Sequence, residues 1–166
     1  MLTEISNVSG NNKFEYKYMS KWDERYFNLA KEVSGWSKDP SKKIGAVIVG
    51  FYGQILSQGY NGFPRGILDS EERYNDRPTK YQYVVHAEMN AIYNATLNGI
   101  KCQGSELYIW GLPVCGECAK GIIQVGISRV NVHKRSLKIN PKWDEIFEFS
   151  KSMFEESGVK LIIHED

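Results

Sequence analysis

The spacing of hydrophobic positions changes several times along this chain, and each change marks an element. Trp22, Tyr26, Leu29, Ala30 and Val33 recur at helical spacing. Ser20 followed by Asp23 makes a helix start, and Gly35 a stop. Ile44 to Val49 is a short apolar, β-branched run, and a second run, Gln54 to Tyr60, follows Phe51-Tyr52-Gly53, so the pair predicts a β-hairpin. From Asn61 to about Gln82 the pattern loses its period, and Gly62, Pro64, Gly66 and Pro78 punctuate it. Loops of that length in compact domains are usually functional or disordered.

Periodicity returns at His86 to Asn98, where Met89, Ile92, Tyr93 and Leu97 form a helical stripe that stops at Gly99. A strand at Glu106 to Trp110, a helix from Cys115 to Val125, a strand at Arg129 to Lys134, a helix from Trp143 to about Ser157 and a strand at Val159 to His164 complete the chain. Helical crossovers require parallel neighbours, so the last three strands should run parallel, while the hairpin supplies an antiparallel pair. The expected fold is α/β, a three-layer α/β/α sandwich around a mixed five-stranded sheet. Residues 1–19, rich at first in Asn, Ser and Gly, read as an N-terminal arm, and 20–166 as the single domain that 166 residues accommodate.

Charge narrows the possible partners. Lys plus Arg number 21 and Asp plus Glu 20, interspersed along the chain, which opposes general binding to nucleic acid or to an anionic membrane. No apolar run is long enough to span a bilayer and no secretory leader opens the chain, so the expected location is cytoplasmic. Three cysteines are too few for a disulfide framework. Two of them, Cys115 and Cys118, form C-x-x-C, which in a reduced compartment points to metal or redox chemistry.

His86-Ala87-Glu88 and Cys115-x-x-Cys118 both fall at helix starts. One imidazole and two thiolates make a three-ligand zinc site whose fourth position is open, the arrangement of a catalytic rather than a structural site. Residues i and i+3 of a helix face the same way, and a helix N-terminus helps thiols ionise. Glu88 is placed to act on a metal-bound water, whose pKa zinc lowers from 15.7 to about 7, and to pass the proton to a leaving amine. That chemistry is hydrolytic deamination, and H-x-E with P-C-x-x-C is the signature of zinc nucleobase deaminases. The bland alternatives are a redox pair of cysteines and a helix start with a solvated carboxylate.

At these residues the chain resembles the deoxycytidylate (dCMP) deaminases of the cytidine and deoxycytidylate deaminase superfamily, over roughly residues 20 to 164. The stretches that carry the likeness are SKDPSKKIGAVIV at 37 to 49, GYNGFPRG at 59 to 66, TKYQYVVHAEMNAI at 79 to 92 and CGECAKGIIQVGI at 115 to 127. The resemblance implies a cytidine deaminase-like fold, one Zn2+ per subunit and conversion of dCMP to dUMP and ammonia for thymidylate synthesis. It implies His86, Cys115 and Cys118 as ligands, Glu88 as proton shuttle, the Ala87 amide on the pyrimidine carbonyl and Asn61 on the sugar. The alternative for Asn61 is a turn residue beside Gly62.

For a 5′-phosphate, Ser37, Lys38, Lys43 and Arg65 are the nearest donors, with a solvated surface as the alternative for each. Tyr108 and Trp110 are candidates for stacking in the pocket or for the core, Cys102 reads as a plain buried or half-exposed thiol, and His133 and His164 have no Cys, Asp or Glu partner at metal spacing. The resemblance also implies a homohexamer with dCTP as activator, possible Mg2+ beside it, and dTTP as inhibitor. Arg65, Arg73, Arg77 and Lys80 could meet such a triphosphate, although Asp69, Glu71, Glu72 and Asp76 offset their charge. One departure stands out. Val114 occupies the position where the family commonly has Pro directly before the first cysteine, and the carbonyl there is the one expected to receive the substrate's amino group. Competing readings are a related zinc deaminase acting on another cytosine nucleotide or on a base in RNA or single-stranded DNA, and a non-catalytic zinc module.

Overall fold

The computed structural model describes residues 14–138 and 141–166. Its elements run β1 (Glu15–Tyr18), α1 (Lys21–Ser34), β2 (Gly45–Val49), β3 (Ile55–Tyr60), α2 (Glu71–Asn75), α3 (Arg77–Tyr83), α4 (Ala87–Leu97), β4 (Glu106–Trp110), α5 (Gly116–Gln124), β5 (Arg129–His133), a 3-10 turn (Lys134–Lys138), α6 (Pro141–Ser157) and β6 (Lys160–Glu165). The strands form one mixed sheet in the order β1-β6-β5-β4-β2-β3. β4, β5 and β6 are parallel neighbours, as the crossover argument requires, while β2 runs antiparallel to both β3 and β4.

The sheet has six strands rather than five. The additional one, β1, comes from the segment expected to be an arm and pairs parallel with β6, Glu15 opposite Ile162 and Tyr18 opposite Glu165. EYKY lacks the apolar alternation of a core strand because it lies at the sheet edge, where charged residues such as Glu15 and Lys17 discourage pairing with another chain. The remainder of the expected arm, 1–13, lies outside the described residues.

Period-2 alternation assigns the two faces. Ala46, Ile48, Leu107, Ile109, Val130, Val132 and Leu161 point toward α4, α5 and α6 and form the larger core. Val47, Val49 and Tyr108 point the other way, onto Tyr26, Phe27 and Ala30 of α1. Ser20 caps α1 reciprocally with Asp23, in the capping box that the sequence pattern predicts. Two glycines let helices lie close on the sheet: a Cβ at Gly45 would stand 2.0 Å from the Ala30 carbonyl oxygen, and one at Gly59 2.3 Å from the Ala91 nitrogen in α4.

Beneath α1 lies a buried polar layer. Tyr108 donates to Asp23 at 2.7 Å. Asn131 donates through Nδ2 to Leu107 O and to Glu106 and accepts at Oδ1 from Nε2 of His164, 2.8 Å away. Nδ1 of His164 has no hydrogen-bond partner and stands 3.9 Å from Asp23 Oδ2. Among the described residues no helix is long and apolar enough to cross a membrane.

Candidate metal centre and active site

The residues after β3 leave the sheet for a long excursion that returns to its starting point. Gly62 and Val85 exchange backbone hydrogen bonds, N–H to O at 3.1 and 2.8 Å, so the end of β3 and the start of α4 are stapled together. His86 is then the N-cap of α4, with extended backbone, and Cys115 is the N-cap of α5, reached through the turn that leaves β4. Both helices start where their preceding strands end, the location at which open α/β sheets collect functional groups.

This convergence puts His86 Nδ1 3.3 Å from the sulfurs of both Cys115 and Cys118, and the three donor atoms all lie within 4.8 Å of one another. A zinc ion bonded at about 2.3 Å to sulfur and about 2.0 Å to nitrogen at a tetrahedral angle separates those atoms by about 3.6 Å. The donor set and its spacing therefore fit such an ion.

The electrostatics agree. With protons as the only cations, His86 is held up at about 9, first by its hydrogen bond to Cys115, with burial opposing. The hydrogen bond from Cys118 brings Cys115 down to about 4, overcoming burial with further help from His86. Cys118 rises above the ordinary thiol range for the complementary reasons, its bond to Cys115 and burial. Glu88, the second residue of α4 and only 4% exposed, is raised to about 7 by burial, with the charge of His86 and a hydrogen bond to Cys118 pulling the other way.

A family model, the cytidine and deoxycytidylate deaminase zinc-binding region, matches residues 20–134, which include all three donors and Glu88. The chain belongs to this deaminase family. It is similar to an uncharacterized deaminase in the luxG 3′ region of Aliivibrio fischeri, 38% identical over 143 residues that cover 86% of this chain and 93% of that one. It is also similar to the deoxycytidylate deaminase of Homo sapiens, 39% identical over 131 residues, 76% of this chain and 70% of the relative. Among solved structures it is similar to the dCMP deaminase of the cyanophage S-TIM5 in complex with dCMP and dUMP. That pair has a TM-score of 0.69 at 26% identity, covering 88% of this chain and 99% of the other. The chain therefore shares the deaminase fold and the family's zinc-binding region.

Around the centre, the other expected residues divide by environment. Ala87 is fully buried at the first position of α4, where a backbone N–H has no acceptor within its own helix. Asn61 lies close by through the Gly62–Val85 staple, but its amide is already engaged. Oδ1 accepts from Ile44 N at 2.8 Å, and Nδ2 donates to Lys42 O at 2.8 Å and toward Asp39 at 3.4 Å. Oδ1 thus accepts one of the two hydrogen bonds an amide oxygen can take.

Ser37 is buried, donates to Asn61 O at 2.7 Å and accepts from Asp39 N, so it holds the loop rather than presenting a phosphate donor. Lys38 is exposed and pairs with Asp69 at 3.0 Å. Lys43 is exposed, and the exposed Arg65 donates to Asn94 of α4. Of the cations considered for an effector, Lys80 is buried against Asp39 at 2.8 Å and Arg73 lies over the Tyr83 ring at 4.7 Å.

Tyr108 and Trp110 do not line the metal side. They share the sheet face that α1 covers, opposite to Leu107 and Ile109, because side chains alternate along a strand. Trp110 packs there beside His133 and Lys31. The carbonyl of Val114, expected to receive an amino group, accepts a hydrogen bond from Ser150 of α6 at 2.7 Å.

Sequence reasoning missed the ion pair of Asp39 with Lys80 and the serine at 150. Asn90, which donates to Tyr60 O at 2.8 Å and ties α4 to β3, was noted only as part of the motif. For Asp39 and Lys80 the only signal was that each lies inside a motif-bearing stretch.

Proposed function

We propose that this chain is a zinc-dependent hydrolase that converts dCMP and water to dUMP and ammonia. The observation that carries the reading is a carboxyl group, Glu88, buried beside a cluster of one imidazole and two sulfurs that fits zinc. His86, Cys115 and Cys118 would hold a zinc ion, which would supply Lewis acidity and lower the pKa of a bound water.

The protein's own groups do the rest. A Glu88 carboxylate oxygen takes a proton from the attacking water and returns it to the departing amine, so that a C–O bond forms at the ring carbon as the C–N bond breaks. The Ala87 N–H, at the amino end of α4, meets the pyrimidine carbonyl, and Asn61 meets the sugar through its spare lone pair. Arg65 and Lys43 are the exposed cations of the family-like segments that remain for the 5′-phosphate, since Ser37 serves the loop and Lys38 is paired. Family likeness supports the choice of substrate, because the human relative is a deoxycytidylate deaminase and the cyanophage enzyme was captured with dCMP and dUMP.

Zinc-loaded protein should release ammonia from dCMP faster than from CMP, deoxycytidine, dCTP or a cytosine-containing single strand. No turnover of dCMP beside a working control enzyme overturns the proposal, and preference for the oligonucleotide transfers it to a nucleic-acid deaminase. A homohexamer that responds to dCTP with Mg2+ and to dTTP belongs to the same reading. Sedimentation and rate curves with and without those nucleotides test it, and a monomer with unresponsive curves refutes it.

A further inference from the structure

Ser150 lies in the middle of α6, far along the chain from the metal ligands, and is 0% exposed. Its hydroxyl oxygen is 2.7 Å from the carbonyl oxygen of Val114 and 2.9 Å from that of Phe147 in its own helix. Val114 is itself 0% exposed, so without the hydroxyl its carbonyl would lose this bond in an apolar setting. Both sides of Cys115 thus meet α6: Val114 through this bond and Gly116 through packing, where an added Cβ would stand 3.5 Å from Met153 and 3.8 Å from Phe149.

The segment that Ser150 grips is irregular backbone between β4 and α5, whose last residue, Cys115, is tied to α5 through its carbonyl, 3.0 Å from Ala119 N. In the zinc deaminase signature a proline stands directly before the first cysteine, and its ring locks the backbone dihedral φ near −65°. Val114 carries no such lock. We infer that Ser150 is a positioning residue of the metal centre: its hydrogen bond to the Val114 carbonyl supplies the rigidity that a proline would give and so fixes the sulfur of Cys115. The inference rests on His86, Cys115 and Cys118 being the metal ligands.

Outer partners of this kind typically change metal affinity by about 10- to 100-fold. The test measures zinc affinity of the full chain by competition with a chelator, together with the visible spectrum of the cobalt(II)-substituted protein. Ser150→Ala removes the donor, and Ser150→Cys keeps nearly the same volume with a much weaker donor. Both should weaken zinc binding by about tenfold or more and alter the cobalt spectrum, and adding Val114→Pro to Ser150→Ala should recover most of the loss. A serine that merely stabilised α6 would lower the melting temperature without a rescue by proline at 114.

Unchanged zinc affinity in either folded Ser150 variant overturns the inference, as does a proline that leaves the defect in place. A parent protein that binds zinc but deaminates nothing leaves it standing and sinks the deaminase reading. One that binds no zinc sinks both.

Discussion

His164 gives the sharpest quantitative test of the fold. It is 1% exposed, donates from Nε2 to Asn131 and leaves Nδ1 without a hydrogen-bond partner. Burial holds it down at about 4, partly offset by the carboxylate of Asp23 and reinforced by Lys17, His133 and Arg129. In the unfolded chain the same imidazole titrates near its ordinary value of 6.5.

Between those two values the unfolded chain binds a proton that the folded one refuses. Stability from this residue is therefore complete above about pH 6.5 and is lost as the pH falls toward 4. At up to about 1.4 kcal/mol per pH unit, the loss across that window is about 3 kcal/mol. Urea unfolding of the parent and of His164→Gln at matched zinc, from pH 7 to pH 4, isolates the effect, because the amide can still donate to Asn131 but does not titrate. The titration of the metal ligands is common to both proteins and cancels. The variant should be the less stable at pH 7 and should close most of the gap by pH 4. Parallel profiles would refute the reasoning.

Further consequences are equally direct. Glu88→Gln should retain zinc by elemental analysis while kcat for dCMP falls by about 10²- to 10⁴-fold; wild-type turnover would remove Glu88 from the proton path. Lys80→Met strands the buried Asp39 carboxylate and should cost about 3 kcal/mol in urea unfolding, whereas a change within error would show that Asp39 finds enough partners in the backbone amides of Ser41 and Lys42. Gly59→Ala drives a methyl group into the backbone of α4 and should cost about 1 to 3 kcal/mol, seen as a lower Tm; an unaltered Tm would mean that α4 can lift from β3 freely.

The parts of this molecule that were legible in the sequence are those governed by short-range rules. Ser20 with Asp23 announces α1, a short apolar and β-branched run announces β2, and the donors at two helix starts announce the metal centre because each rule operates within a few residues. β1 was hidden because EYKY owes its strand state to a partner at the other end of the chain, β6. The helix α3 was hidden because Pro78 was read as a loop breaker, although it sits in the first turn of α3, where a proline's missing N–H costs nothing, and α2 was hidden because its five residues are too few to show a period. Tyr108 and Trp110 show the cost of looking only at distance along the chain. They lie close before Cys115, yet strand parity sends them to the opposite face of the sheet. The bonds from Ser37 to Asn61 and from Ser150 to Val114 span 24 and 36 residues, and no local pattern encodes such meetings.

Because Gly62 and Val85 exchange backbone hydrogen bonds, His86 is tied to the end of β3 at the base of the excursion between them. Its tip at residues 65–67 is exposed, and a side chain added at Gly66 would meet nothing within 4 Å, although the positive φ there favours glycine. Doubling the length of a flexible loop costs only about 0.6 kcal/mol in closure entropy. Added length at Gly66 and Ile67, outside Arg65 and the Lys80–Asp39 pair, is where descendants of this chain can acquire new ligands at the rim while the chemistry at its base is inherited intact.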